Sequence, residues 1–157
     1  MSSFISFPNP VNEVAARVTA SGVVLIAALA LALQVPWLSI LLAVGFLLRV
    51  LSGPRFSPLA LLATRVVVPR LPWGPRLVAG PPKRFAQFIG LVFSLSAALL
   101  FYAFALDTAA YAVLGALVLA ATLESAFGIC LGCRAFALLM RAGVIPPEVC
   151  ESCNGRI

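Results

Sequence analysis

Residues 85–129 read FAQFIGLVFSLSAALLFYAFAL, then Asp107, then TAAYAVLGALVLAATLESAFGI, and only Asp107 and Glu124 in the stretch are charged. As helix at about 1.5 Å per residue, each run spans about 33 Å, enough for the ~30 Å hydrocarbon core of a bilayer. Asp107 sits between them with no room for more than a tight turn. The stretch therefore reads as two membrane-crossing helices, about 85–106 and 108–129, with Asp107 capping the second.

The same pattern recurs upstream. A first apolar run covers about 14–35 and a second, shorter one about 36–51. The second gives only about 24 Å of helix, so bilayer thinning, snorkelling of Arg49 or a partly re-entrant path is expected there. Asn9-Pro10 reads as a cap followed by a first-turn proline, and Pro36 opens the second helix in the same way. Ala30-Leu31-Ala32 resembles a signal-cleavage site. No basic cluster leads into it and another apolar run follows at once, so the segment is read as a retained helix.

Composition agrees. Of 157 residues, 62% are hydrophobic and 10% charged, whereas a soluble domain carries about 25% charge. So small a chain cannot cover that apolar surface in water. The formal charge is +6, from 11 basic and 5 acidic residues. The basic residues flank apolar runs and do not interleave with aromatics on a soluble face, so no nucleic-acid partner is expected.

Arg49, Arg55, Arg65, Arg70, Arg76, Lys83 and Arg84 gather in and beside the central connection, residues 52–84, which has no acidic residue. The positive-inside rule puts that connection in the cytoplasm. Two hairpins then place both termini there, giving a multi-pass protein of the plasma (inner) membrane. Within the connection, Ser57-Pro58 opens a short apolar segment, Leu59 to Val68, that Pro69 closes. It is too short to span and reads as an interfacial helix. Pro69, Pro72, Pro75, Pro81 and Pro82 suggest an irregular path beyond it. Ala86, Gly90, Ser94 and Ala98, and likewise Ala112, Ala116 and Ala120, recur at four-residue spacing, as close helix–helix seams in lipid require.

The expected architecture is thus an all-α integral membrane domain over residues 1–129, with four helices in two hairpins, and a small cysteine-rich cytoplasmic tail over 130–157. The tail holds Cys130, Cys133, Cys150 and Cys153, two Cys-x2-Cys pairs separated by residues 134–149. That spacing matches a common zinc-ligand pattern, and four thiolates suit tetrahedral zinc. The alternative is a redox dithiol. If the fourth helix continues past Gly128, Cys130, Cys133, Arg134 and Arg141 share a face, and guanidinium charge favours thiolate. Glu124, four residues past Ala120, faces the bundle. It is a candidate proton acceptor for thiol chemistry or an ion-pair partner of Arg49. The chain has no histidine, which removes imidazole-based catalysis and ligation.

Phe7-Pro8-Asn9-Pro10-Val11-Asn12, Gly53-Pro54-Arg55-Phe56-Ser57-Pro58, Pro82-Lys83-Arg84-Phe85-Ala86 and Glu124 to Cys133 together resemble an uncharacterised family of bacterial membrane proteins, of the actinobacterial type, classed as a domain of unknown function. Its most specific part is the Phe-Gly-x-Cys-Leu-Gly-Cys run, Phe127 to Cys133. The resemblance implies a four-helix membrane fold and no established reaction. A looser architectural likeness exists to small four-helix membrane proteins of thiol and sulfur metabolism, and fold does not fix function.

Three functions follow as expectations. One is a structural zinc held by Cys130, Cys133, Cys150 and Cys153. The second is a thiol-redox or sulfur-transfer component using Cys130 and Cys133, assisted by Glu124 and Arg134, with a soluble thiol or sulfur-transfer protein as partner. The third is an accessory subunit of a larger membrane complex.

Overall fold

Four helical runs in the computed structural model, which describes residues 7–153, are long and apolar enough to cross a membrane: Glu13–Ala32, Trp37–Arg70, Gly80–Tyr102 and Asp107–Phe127. Large apolar side chains, among them Leu25, Leu33, Leu99 and Leu119, stand exposed on their outer faces. Water would penalise such a surface, and a bilayer covers it. The chain is a multi-pass membrane protein.

In chain order the elements are β1 (Val11–Asn12), α1 (Glu13–Ala32), α2 (Trp37–Ser52), α3 (Pro58–Leu62), β2 (Leu77–Val78), α4 (Gly80–Tyr102), α5 (Asp107–Phe127) and α6 (Leu131–Arg141). Shorter 3-10 and π turns link α2, α3 and β2, and a final 3-10 segment runs Pro147–Cys153. α4 packs on α2 and α5, and α1 packs on α5 and α2. The core between them is Val23, Ala27, Ala30, Leu42, Phe46, Ala97, Phe101, Ala110, Leu114, Leu117 and Ala121.

Several local expectations need correction. Asn9 does not cap α1. Asn12 does, its side chain accepting from the Val14 N–H at 3.0 Å. The Asn9–Pro10 bond is cis, and Val11–Asn12 instead pairs antiparallel with Leu77–Val78. The Asn9 side chain accepts from the Gly80 N–H at 3.0 Å. The start of the chain is thus tied to the start of α4. Pro81 and Pro82 do not belong to an irregular linker. They lie in the first turn of α4, where a missing N–H costs nothing because that donor has no helical partner. α4 therefore begins earlier than residue 85 and brings Lys83 into the helix. Asp107 is the first residue of α5, not its cap.

On α4, Gly90, Ser94 and Ala98 of the expected seam are buried and Ala86 is half-buried. Gly90 faces the Phe46 ring so closely that any Cβ would overlap it. A Gly90→Leu variant should therefore lose about 1–3 kcal/mol through overpacking, read as a lower unfolding midpoint in detergent. On α5 the seam differs. Ala112 and Ala116 are not among the buried residues, and Ala110, Leu114, Leu117 and Ala121 are. Glu124 continues this second stripe, so it does face the bundle, but from a different register.

Arg49 does not snorkel. It is buried at 4% exposure. Its guanidinium donates to Gln87 Oε1 at 2.9 Å and Ser57 Oγ at 3.3 Å, and stacks over Phe46 at 4.4 Å. α3 lies on α1, with Leu59 against Gly22. At the end of α5, Arg17 donates to the carbonyls of Ser125 and Ala126 at 3.0–3.2 Å. A cation on the last carbonyls of a helix complements its dipole, and this fixes where α5 stops.

Candidate functional site

α5 ends at Gly128, which adopts the left-handed conformation at φ 68°. Glycine reaches that region without a Cβ penalty, as this helix stop requires. The fourth helix therefore does not continue through the cysteines. The chain turns, Cys130 takes the cap position, and α6 starts at Leu131. α6 folds back over the start of α4. Gly132 fits against Ala86, where a Cβ would come within 2.5 Å of the Ala86 Cα, and Phe136 packs on Phe85 with ring centroids 5.7 Å apart.

This turn sets the two sulfurs. The Cys130 Sγ accepts the Cys133 N–H at 3.3 Å, replacing the oxygen of an ordinary helix cap. The Cys133 thiol donates to the same sulfur at 2.7 Å. Disulfide closure to about 2.05 Å asks for a sulfur movement of under about 1 Å. The hydrogen bond from Cys133 pulls the Cys130 thiol below its ordinary pKa. Burial and the Glu124 charge oppose it, and the Lys83 charge and the backbone N–H assist. Cys133 is pushed up, first because it donates that bond and then by burial. The pair is an asymmetric dithiol, with a thiolate-prone Cys130 and a proton-holding Cys133.

Glu124 is not paired with Arg49. Its Oε1 accepts from Lys83 Nζ at 2.8 Å, with the side chains 15% and 7% exposed. The early start of α4 puts Lys83 opposite Glu124 on α5, whereas Arg49 is held by Gln87 and Ser57. Lys83 is the site residue that the sequence pattern concealed. It looked like one more loop cation because the two prolines before it hid the start of the helix.

The dithiol opens on a cavity of about 860 Å³. Its lining includes Asn9, Glu13, Val78, Lys83, Phe136 and Met140. Cys130, Cys133, Arg134 and Cys153 also line it. Arg134 is exposed on α6, one turn from the cap. The expected four-thiolate zinc cage does not fit this arrangement. Cys150 and Cys153 are joined to each other as a disulfide, with Cα atoms 5.3 Å apart, while Cys130 and Cys133 are free thiols. Among the described residues no group of three or more His, Cys, Asp or Glu is set to hold a metal. Cys130, Cys133 and Cys153 line the cavity, and Cys150 is bonded to Cys153.

The asymmetry has a measurable signature. Alkylation of Cys130 by iodoacetamide should rise with pH through a midpoint below the free-thiol value of about 8.5. Cys133→Ala removes the hydrogen bond that stabilises the thiolate, so the midpoint should move up. The rate at pH 7 should then fall about tenfold for each pH step of one by which the midpoint rises. An unmoved midpoint would mean that the contact does not favour thiolate.

A family model described as a domain of unknown function (DUF4395) matches residues 11–141. The match runs from β1 through α6 and so includes Lys83, Glu124, Cys130 and Cys133, while Cys150 and Cys153 lie beyond it. No curated protein and no solved structure matches the chain.

Proposed function

We propose a function from the site itself, because the chain belongs to the DUF4395 family, whose description carries no activity: it is a membrane-embedded thiol–disulfide exchange component, with Cys130 as attacking sulfur and Cys133 as resolving thiol. The observation that carries this reading is the 2.7 Å thiol–sulfur contact at the start of α6, open to a cavity. A helix N-terminus and a nearby cation are what a reactive cysteine needs. Cys133 stands close enough to close the disulfide that ends a round of exchange.

The exchange takes two thiols on one side and one disulfide on the other. The Cys130 thiolate attacks a substrate disulfide, one substrate sulfur leaves as thiolate, and Cys133 then attacks Cys130 to release the other. The dithiol loses two electrons and two protons, and the substrate gains them. The substrate class is a disulfide presented by a soluble protein at the membrane surface. The site sits at the end of the bundle that carries the arginine-rich connection, since β2 and the start of α4 line the same cavity. By the positive-inside rule that end is cytoplasmic, with two helical hairpins behind it and both termini on that side. In a reducing compartment a Cys-x2-Cys pair is more consistent with redox use than with a structural bridge.

The test is a redox titration. The full chain, purified anaerobically in mild detergent, is equilibrated in glutathione buffers of graded potential, and the thiols and zinc are quantified. A reversible two-electron transition between Cys130 and Cys133, without metal, is expected. One zinc per chain with four unreactive thiols would overturn the reading in favour of a metal site.

A further inference from the structure

The tail disulfide shares the cavity with the dithiol, and a thiolate beside a disulfide is one half of an exchange reaction. Of the tail pair, Cys153 lines the cavity and Cys150 is buried at 2% exposure. The tail residue that shares the cavity with Cys130 and Cys133 is therefore Cys153, which makes Cys150 the leaving sulfur of an attack from that cavity. The connection between α6 and the tail turns at Gly143, whose φ of 77° is in the region that favours glycine. It brings Pro147–Cys153 back toward the mouth of the site that α6 began. On the outer side of that segment Glu148, Val149 and Glu151 are exposed. One residue of the tail pair thus lines the same cavity as the dithiol, while Glu148, Val149 and Glu151 of its segment are exposed.

We infer that Cys150–Cys153 is a built-in disulfide substrate, and that electrons pass within one chain from Cys130–Cys133 to the tail. The inference rests on the dithiol reading above and adds its first acceptor. The Cys130 thiolate attacks Cys153 Sγ. The Cys150–Cys153 bond breaks and Cys150 leaves as thiolate, taking up a proton. Cys133, giving up its proton, attacks Cys130 Sγ. The Cys130–Cys153 bond breaks, and Cys153 leaves as thiolate and is protonated. One disulfide is consumed and one is formed. Two electrons and two protons move from the inner pair to the outer pair, and no external oxidant enters the step. The outer dithiol then stands on the segment that carries the exposed Glu148, Val149 and Glu151, and the inner pair is left as a disulfide at the start of α6.

A cysteine-limited variant tests this. Cys133→Ser with Cys150→Ser leaves Cys130 and Cys153 as the sole thiols. Oxidised glutathione should then drive a Cys130–Cys153 bond within the monomer. Trypsin cuts after Arg134 and Arg141, so mass spectrometry without reductant should find the peptide ending at Arg134 bonded to the one starting at Ala142. Its yield should be unchanged on tenfold dilution, because the tail is supplied at a fixed effective concentration. The companion variant, Cys150→Ser with Cys153→Ser, keeps the inner pair alone. If that variant titrates normally in glutathione buffers while the cysteine-limited one forms only glutathione adducts or cross-links between chains, the relay is overturned and the dithiol function stands. If the inner pair fails to titrate in the companion variant and in the unaltered chain, the dithiol function falls and the relay with it. Cys130–Cys153 cross-linking in the monomer supports the relay.

Discussion

Lys83→Met is expected to lower stability by about 3–5 kcal/mol, the usual cost of removing one partner from a buried ion pair. Lys83 and Glu124 meet at 2.8 Å between α4 and α5. Without the ammonium, the Glu124 carboxylate is left buried with no opposite charge in contact, and that uncompensated charge is the source of the loss. The double variant Lys83→Met with Glu124→Leu removes both charges and replaces them with apolar volume. It should recover most of the loss, because an intact buried pair contributes little beyond its own desolvation cost. Equilibrium unfolding in mixed mild and denaturing detergent measures both. If single and double variants are equally unstable, the pair is not what holds that seam. The single variant should also weaken the site, since the Lys83 charge favours thiolate at Cys130.

The second large effect is on chemistry. Cys130→Ser should slow reduction of a protein disulfide by about two to three orders of magnitude. The contact with Cys130 that raised the Cys133 thiol is lost in this variant, but burial still disfavours the Cys133 thiolate, and no second sulfur remains beside it to resolve a mixed disulfide. Cys133→Ala should behave differently. It keeps the attacking sulfur, so the first half of exchange proceeds and a mixed disulfide accumulates on Cys130. Trapping that species with a disulfide substrate, seen as a reductant-sensitive adduct, separates the two roles. Equal loss in both variants without an adduct would argue that Cys130 is not the attacking sulfur.

Much of this architecture is legible in the residues, because lipid imposes a simple demand. Runs such as 85–106 and 108–129 are too apolar and too long to be anything but spans, and α4 and α5 lie there within a few residues. The errors are local. Prolines at 81 and 82 look like breakers, yet the first turn of a helix needs no N–H at that place, so α4 starts at Gly80. That one boundary hid Lys83 and with it the partner of Glu124. The seam of α5 misled for another reason. Alanines at 112, 116 and 120 suit close packing, but leucines at 114 and 117 fill the interface instead. Small residues permit contact and do not oblige it. Cys130 and Cys133 could be named as a pair from spacing alone. Whether the tail pair joined them around a metal depended on where the chain turned. The left-handed stop at Gly128 sets that turn, and no periodicity announces such a stop.

The pairing of Val11–Asn12 with Leu77–Val78 carries a consequence for biogenesis. Val11 and Asn12 find their partner strand only after the second span is made, because Leu77 and Val78 lie between that span and the third. Cys153, at the far end of the described chain, completes the wall they form. The cavity therefore closes only after all four spans have been made, because α6 and Cys153 follow the fourth. Until then Cys130 and Cys133 meet the surrounding thiol pool without that cover, so the pair enters the cavity in the redox state the pool imposes.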